Sequence, residues 1–140
     1  MKFWDTSAVV PLLVTEARTP AVFERLRADP VGTYSWLTPT ELTSALARRE
    51  REGSLTPDLT ADLERRAERL LSSWAQIELS DRVRKTARRL LHAYPLRSAD
   101  ALQLASAIAV SLEADTVEFM TLDDRLSDAA WREGLLLPLG

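Results

Sequence analysis

Asp5, Glu41, Asp100 and Asp123 lie far apart in the chain, yet each stands at the same kind of place, at the end of a β-prone segment or in the opening turn of an expected helix. In open parallel sheets the ligand site lies beyond the carboxyl ends of the strands, where the helices begin. Three or four carboxylates brought together there, with no sulfur and little histidine, form a hard-oxygen site that suits Mg²⁺ or Mn²⁺ rather than zinc. Like charges held so close also need a cation to remain ionised. Composition removes the competing chemistries. There is no cysteine, hence no thiol nucleophile and no Cys-ligated metal, and the single histidine, His92, cannot build a multi-histidine site and reads as a surface or helix-end residue.

Each acid also has a structural explanation. Glu41 can complete a capping box with Thr38, Asp100 can be a first-turn acid behind Ser98, and Asp123 or Asp124 can cap a helix. Asp5 is harder to explain that way, because it directly follows an apolar strand where a core-filling residue would be the economical choice.

The elements that must position these acids follow from turn and capping signals. Lys2–Asp5 is β-prone, with Thr6 and Ser7 as hydroxyl caps of a short helix through Leu13. A helix over Pro20–Ala28 leads through a turn at Asp29, Pro30 and Gly32 to a strand at Thr33–Trp36. Thr38 as N-cap, Pro39 at the first helical position and Glu41 three residues on predict a helix to about Gly53. A second helix from Thr56 to Trp74 completes a hairpin, in which Leu42, Ala45 and Leu46 on one arm and Leu59, Leu63, Leu70 and Leu71 on the other are spaced to pack or to be shared with a partner. Gln76–Leu79 is a third strand, Ser80 caps a helix ending before Pro95, and Ser98 opens an alanine-rich helix with Leu102, Ala105, Ile108, Ala109 and Leu112 inward. Thr116–Thr121 is a fourth strand, a last helix starts at Asp123-Asp124, and Leu135–Leu137 adds an edge strand. Alternating β and α elements imply an α/β fold of three layers, α/β/α, around a central, mostly parallel sheet.

The 140 residues, 46% of them hydrophobic, fit one domain spanning 1–140 with a real core. The net charge of −3 rules out a basic coat, so any contact with a polyanion must be local. Of 18 cationic residues only Lys2 and Lys85 are lysines. Most of the arginines in the middle of the chain read as a solvated helical surface paired with Glu50, Glu52, Glu64 and Glu68. Trp4, Trp36, Trp74 and Trp131 read as core or interface residues. No signal-peptide pattern and no apolar run of the length of a membrane span is present, so the cytoplasm is the expected compartment and no membrane partner is expected.

Four short motifs in order, Phe3-Trp4-Asp5-Thr6-Ser7-Ala8, Thr38-Pro39-Thr40-Glu41-Leu42 with Ala45–Arg49, Pro95–Ala105 around Asp100, and Thr121-Leu122-Asp123-Asp124-Arg125-Leu126, resemble the PIN-domain ribonucleases, and more narrowly the VapC toxins of bacterial toxin–antitoxin pairs. The resemblance spans nearly the whole chain. It implies a PIN-like fold and an acidic quartet of Asp5, Glu41, Asp100 and Asp123, of which Asp5, Asp100 and Asp123 hold the metal, with Thr6 or Ser7 as a polar neighbour. Asp124 is an alternative to Asp123 at the last position. The implied activity is Mg²⁺- or Mn²⁺-dependent hydrolysis of RNA phosphodiester bonds by an endoribonuclease, with Glu41 or Asp100 orienting the attacking water. Arg97 and Arg125, close to these acids in sequence, are the candidates for phosphate contact or acid orientation. The implied partners are the RNA substrate, a cognate VapB-like antitoxin lying along a basic, apolar helical surface, and a second copy of the chain through the Thr38–Trp74 hairpin. Two other functions compete. A phosphoacceptor receiver module expects a lysine at the site late in the chain, and a non-catalytic helical adaptor would be indifferent to metal. A DxDxT-type phosphatase is disfavoured because Asp5-Thr6-Ser7 lacks the second aspartate.

Overall fold

A computed structural model describes residues 1–140. Four short parallel strands, β1 (Lys2–Trp4), β2 (Thr33–Ser35), β3 (Ala75–Ile77) and β4 (Glu118–Met120), form one sheet in the order β3-β2-β1-β4. Six helices connect them, α1 (Thr6–Leu13), α2 (Thr19–Ala28), α3 (Thr38–Arg51), α4 (Pro57–Ser72), α5 (Asp81–Ala93) and α6 (Ser98–Ser111), and α7 (Asp124–Arg132) follows the last strand. Parallel pairing needs crossovers, and those helices cover both faces of the sheet.

Alternation along β1 sends neighbouring side chains into two separate cores. Phe3 stacks on Phe119 at 5.7 Å, in a core built with Val83, Ala87, Leu90 and Leu104 from α5 and α6. Trp4 stacks on Trp74 at 5.2 Å, in a core built with Val9, Leu42, Leu46 and Leu63 from α1, α3 and α4. Gly32 touches this second core closely: a Cβ there would stand 2.8 Å from Trp74 Cδ2 and 2.9 Å from Trp4 Cδ1. Because both rings are buried and stacked, neither can move aside cheaply. Gly32→Ala is therefore expected to destabilise the protein by about 1–3 kcal/mol. An unchanged urea midpoint would show that the tryptophan pair can repack.

Several elements differ from the sequence expectation. Asp5, not Thr6 or Ser7, caps α1, with its carboxylate accepting from the Ser7 N–H. Thr38 is the first residue inside α3 rather than its cap, and Leu37 takes the cap position without a side-chain bond. Thr38 is fully buried, and its hydroxyl is drawn to Thr6 and Gln103, so no capping box forms with Glu41. Leu112 is exposed rather than inward, since α6 buries Ala101, Leu104, Ala105, Ala107 and Val110 instead. Leu59 is likewise exposed on α4. The expected edge strand at Leu135–Leu137 is one isolated bridge, between Glu118 and Leu136. Trp36 and Trp131 are exposed, leaving only Trp4 and Trp74 in the core. Glu50, Glu52, Glu64 and Glu68 form no salt bridge; the arginines that pair do so with Glu16, Asp62, Asp81, Asp128 and Glu133. Arg49–Glu16 and Arg89–Glu133 join residues 33 and 44 positions apart, which no local spacing rule anticipates.

Candidate active site

Asp5 follows β1 and caps α1, Glu41 lies in the first turn of α3, Asp100 in the first turn of α6, and Asp123 caps α7. Four helix N-termini thus meet beyond the carboxyl edge of the sheet, where their dipoles favour negative charge. All four acids line one open cavity of about 380 Å³, together with Thr6, Ser7, Ser44 and Arg48. Asp124 does not enter it. It is exposed and lines an outer cavity of about 550 Å³ with Arg97 and Arg125, and Asp100 and Asp123 are shared between the two.

Asp5 is held by a small network that joins β1 to the end of β4. Its Oδ2 accepts from Ser7 Oγ at 2.6 Å and Thr121 Oγ1 at 3.0 Å, and Ser7 Oγ itself accepts from the Leu122 N–H at 2.9 Å. Thr121 Oγ1 accepts in turn from the Asp123 N–H at 3.1 Å, coupling two of the acids through one hydroxyl. Burial pushes the Asp5 carboxyl up to about 6, with the nearby Glu41 charge adding to it and the Ser7 and Thr121 hydrogen bonds opposing it. Asp100 is also raised, chiefly by burial and further by Asp123, while the Arg97 N–H, Arg97 and Arg125 oppose the shift.

Glu41 is fixed by residues from two other helices, α1 and α6. Its Oε1 accepts from Thr6 Oγ1 at 2.9 Å and from Gln103 Nε2 at 2.6 Å. Gln103 is fully buried in α6, and the same amide nitrogen is 3.1 Å from both Thr6 Oγ1 and Thr38 Oγ1. Its own Oε1 has no partner. Flipping the amide would set that oxygen against the Glu41 carboxylate, so the unpaired carbonyl is the smaller cost. Sequence reasoning missed Gln103. The available signal was a lone amide on the otherwise apolar stretch Ala101–Ala105, one turn after Asp100.

The four carboxylates share one feature. Asp5 accepts on Oδ2, Glu41 on Oε1, Asp100 on Oδ2 from the Arg97 N–H at 3.4 Å, and Asp123 on Oδ1 from the Leu126 N–H at 3.0 Å. The other oxygen of each has no protein donor, and none of the four is in a salt bridge. No three of the acids stand close enough to enclose an ion unaided. The donor set nonetheless fits a hard divalent cation: oriented oxygen ligands, one free on each side chain, and like charges that no salt bridge neutralises.

A three-layer parallel α/β fold with acids gathered at the strand ends defines the class, and the chain belongs to the PIN-domain family, whose model matches residues 2–132. Among characterised relatives it is similar to Ribonuclease VapC45 of Mycobacterium tuberculosis, 36% identical over 108 residues, covering 77% of this chain and 75% of that protein. In fold it is similar to a chain of a toxin–antitoxin complex from Klebsiella pneumoniae, with a TM-score of 0.72 at 21% identity over 99% of this chain and 98% of that one. It is also similar to Mycobacterium tuberculosis VapC20, a sarcin-ricin loop cleaving toxin, with a TM-score of 0.67 at 21% identity over 92% and 95% of the two chains. No helix is long and apolar enough to cross a membrane.

Proposed function

We propose that residues 1–140 form a single domain acting as a divalent-metal-dependent endoribonuclease, the toxin of a toxin–antitoxin pair. The reading rests above all on four carboxylates from four elements lining one cavity, each with one oxygen anchored and one free. The similarity to a named VapC ribonuclease supports it. Asp5, Asp100 and Asp123 are the residues that would hold Mg²⁺ or Mn²⁺. When bound, such an ion supplies a water of lowered pKa and steadies charge on the leaving oxygen. Glu41, clamped by Thr6 and Gln103, orients the attacking water. Arg97 and Arg125 at the outer cavity receive the phosphate, with Asp124 beside them on the solvent side.

A phosphoacceptor module would need a lysine at the site. Lys2 is buried and donates to the Arg25 carbonyl, and Lys85 lies on the outer face of α5, so neither lines the acidic cavity. The antitoxin reading draws on α3, whose other side borders a groove of about 300 Å³ in which Leu42, Leu46, Ala67 and Leu71 lie beside the acidic Glu64 and Glu68. A partner segment seated there reaches the acidic cavity across one helix. A second copy through the α3–α4 hairpin and a cytoplasmic setting complete the proposal.

The test is incubation of purified protein with total RNA in Mg²⁺ or Mn²⁺, followed by mapping of new 5′ ends. Discrete ends that vanish with EDTA are expected, and no metal-dependent cleavage would refute the assignment. Asp123→Ala is expected to lower cleavage at least about 100-fold and, by removing the α7 cap, to cost about 1 kcal/mol of stability. Asp123→Asn keeps the cap and loses only activity. Asp124→Ala should stay within about threefold of the parent rate, and a large loss there would move the fourth acid to Asp124.

A further inference from the structure

The helix α5 concentrates positive charge that the rest of the chain lacks. Over Asp81–Ala93 it carries Arg82, Arg84, Lys85, Arg88 and Arg89 against Asp81 alone, a net of +4. A chain net of −3 less this +4 leaves −7 for all other residues. Val83, Ala87 and Leu90 turn inward, so the helical period places Lys85, Arg88 and His92 along the opposite, exposed face with Arg84 beside them. Two of the cations are engaged, Arg84 with Asp81 at 2.9 Å and Arg89 in a two-pronged contact with Glu133 at 2.9 and 3.0 Å. Arg82, Lys85 and Arg88 have no carboxylate partner within salt-bridge distance. A surface hollow of about 510 Å³ runs along this face and is lined by no apolar residue.

The position of α5 ties this charge to the acidic cavity. Its C-terminal end passes through Tyr94–Arg97 into α6, whose first turn holds Asp100, and Arg97 lines the outer cavity with Arg125. The end of α5 is therefore joined to Arg97 of the outer cavity by only the three residues Tyr94–Leu96. At about 1.5 Å per residue the helix spans roughly 18 Å, on the order of five phosphates of a stacked strand.

We infer that the outer face of α5 is a phosphate-tracking surface that holds the RNA strand on one side of the scissile bond, an inference that rests on the ribonuclease reading above. A hollow lined by cations without apolar anchors matches a phosphate backbone, whereas a peptide partner needs apolar pockets, and the exposed Leu91 of α5 lies outside this lining. The contacts are independent of sequence, so they add affinity and reach without choosing the cleavage site.

The test uses the full chain carrying Asp5→Asn, in EDTA, with and without Arg82→Gln, Lys85→Gln and Arg88→Gln together. Binding of a labelled 20-nucleotide single-stranded RNA and of a tetranucleotide is followed by fluorescence anisotropy across a salt series. Each lost single-strand phosphate contact removes about 0.7 from the slope of log K against log salt, so the triple substitution is expected to flatten it by about 2 and weaken 20-mer binding at least tenfold at 0.1 M salt. Tetranucleotide binding should not change. Parental slope and affinity in the triple variant, in a protein whose unmodified form cleaves RNA, would overturn the inference and leave the ribonuclease reading standing. The flattened slope in a protein that never cleaves RNA would uphold the surface and refute the activity. Loss of binding to a poly-glutamate peptide with 20-mer binding unchanged would assign the face to an acidic protein partner and overturn the inference. All three substituted side chains are exposed, so the thermal midpoint is expected to match the parent.

Discussion

Asp5→Asn is expected to abolish metal-dependent cleavage and, in EDTA above about pH 6, to leave the protein more stable than its parent. The two effects have one origin. Asp5 is buried, and burial raises its carboxyl from 3.8 to about 6 despite the Ser7 and Thr121 hydroxyls. An acid with a higher pKa folded than unfolded binds its proton more tightly in the native state, so it costs nothing below about pH 4. The penalty grows as pH rises through the interval between 4 and 6 and is complete above it. That rise sets an upper bound of about 3 kcal/mol, and relaxation around the site reduces this to about 1–3 kcal/mol. Asparagine has no charge to bury, and the same two hydroxyls can still bond it. Urea midpoints of both proteins from pH 4 to 8 in EDTA measure the effect. A difference that did not grow between pH 4 and 6, or an Asn variant less stable at pH 8, would contradict it. Adding Mg²⁺ or Mn²⁺ should raise the parent's midpoint and leave that of Asp5→Asn little changed, because only a native state that binds the ion is stabilised by it. Cleavage by the variant is expected to fall at least about 100-fold.

Gln103→Leu is expected to lower kcat by about 10–100-fold with little change in KM, although residue 103 does not line the acidic cavity. The side chain acts through Glu41. Its amide nitrogen is the 2.6 Å donor that holds Glu41 Oε1, and it also serves Thr6 and Thr38. Leucine keeps the volume but withdraws a donor from three buried or half-buried oxygens, at a cost of about 1–3 kcal/mol. Thr6 still bonds Glu41, so the carboxylate is loosened rather than released. The split between kcat and KM separates this positioning role from simple destabilisation, since global unfolding would lower the amount of active enzyme equally at all substrate concentrations. A kcat equal to the parent's, after correction for the folded fraction, would show that Thr6 alone suffices to place Glu41.

The fold class and the four acids were legible in the chain because they rest on local rules. Strand segments bounded by turn residues, N-caps at Thr56 and Ser80, and acids at strand ends each depend on a few adjacent residues. The capping alternatives were also partly right: Asp5 and Asp123 do cap their helices, and each does so with one oxygen while the other stays unpaired. Cap and site are therefore not competing explanations here, because a carboxylate has two oxygens to divide between them.

The remaining features depend on contacts between residues distant in sequence. Thr38 carries every local mark of an N-cap, yet burial against Thr6 and Gln103, residues 32 and 65 positions away, takes its hydroxyl out of that role. Asp123 and Asp124 are adjacent and chemically identical, and only the direction in which the chain enters α7 turns one into the cavity and the other to solvent. The arginines on α5 read as one more solvated helix, yet none of the glutamates expected to neutralise the middle of the chain reaches them, and Lys85 and Arg88 are left unpaired beside Arg84 and Arg89, which pair with Asp81 and Glu133. Residue type and spacing decide what a side chain can do, and they were sufficient for the order of the main helices and strands and for placing four acids at strand ends and helix starts. Which oxygen is left free, which charge is left unpaired and which face adjoins which cavity are decided by long-range packing, because each is a property of two or more segments at once.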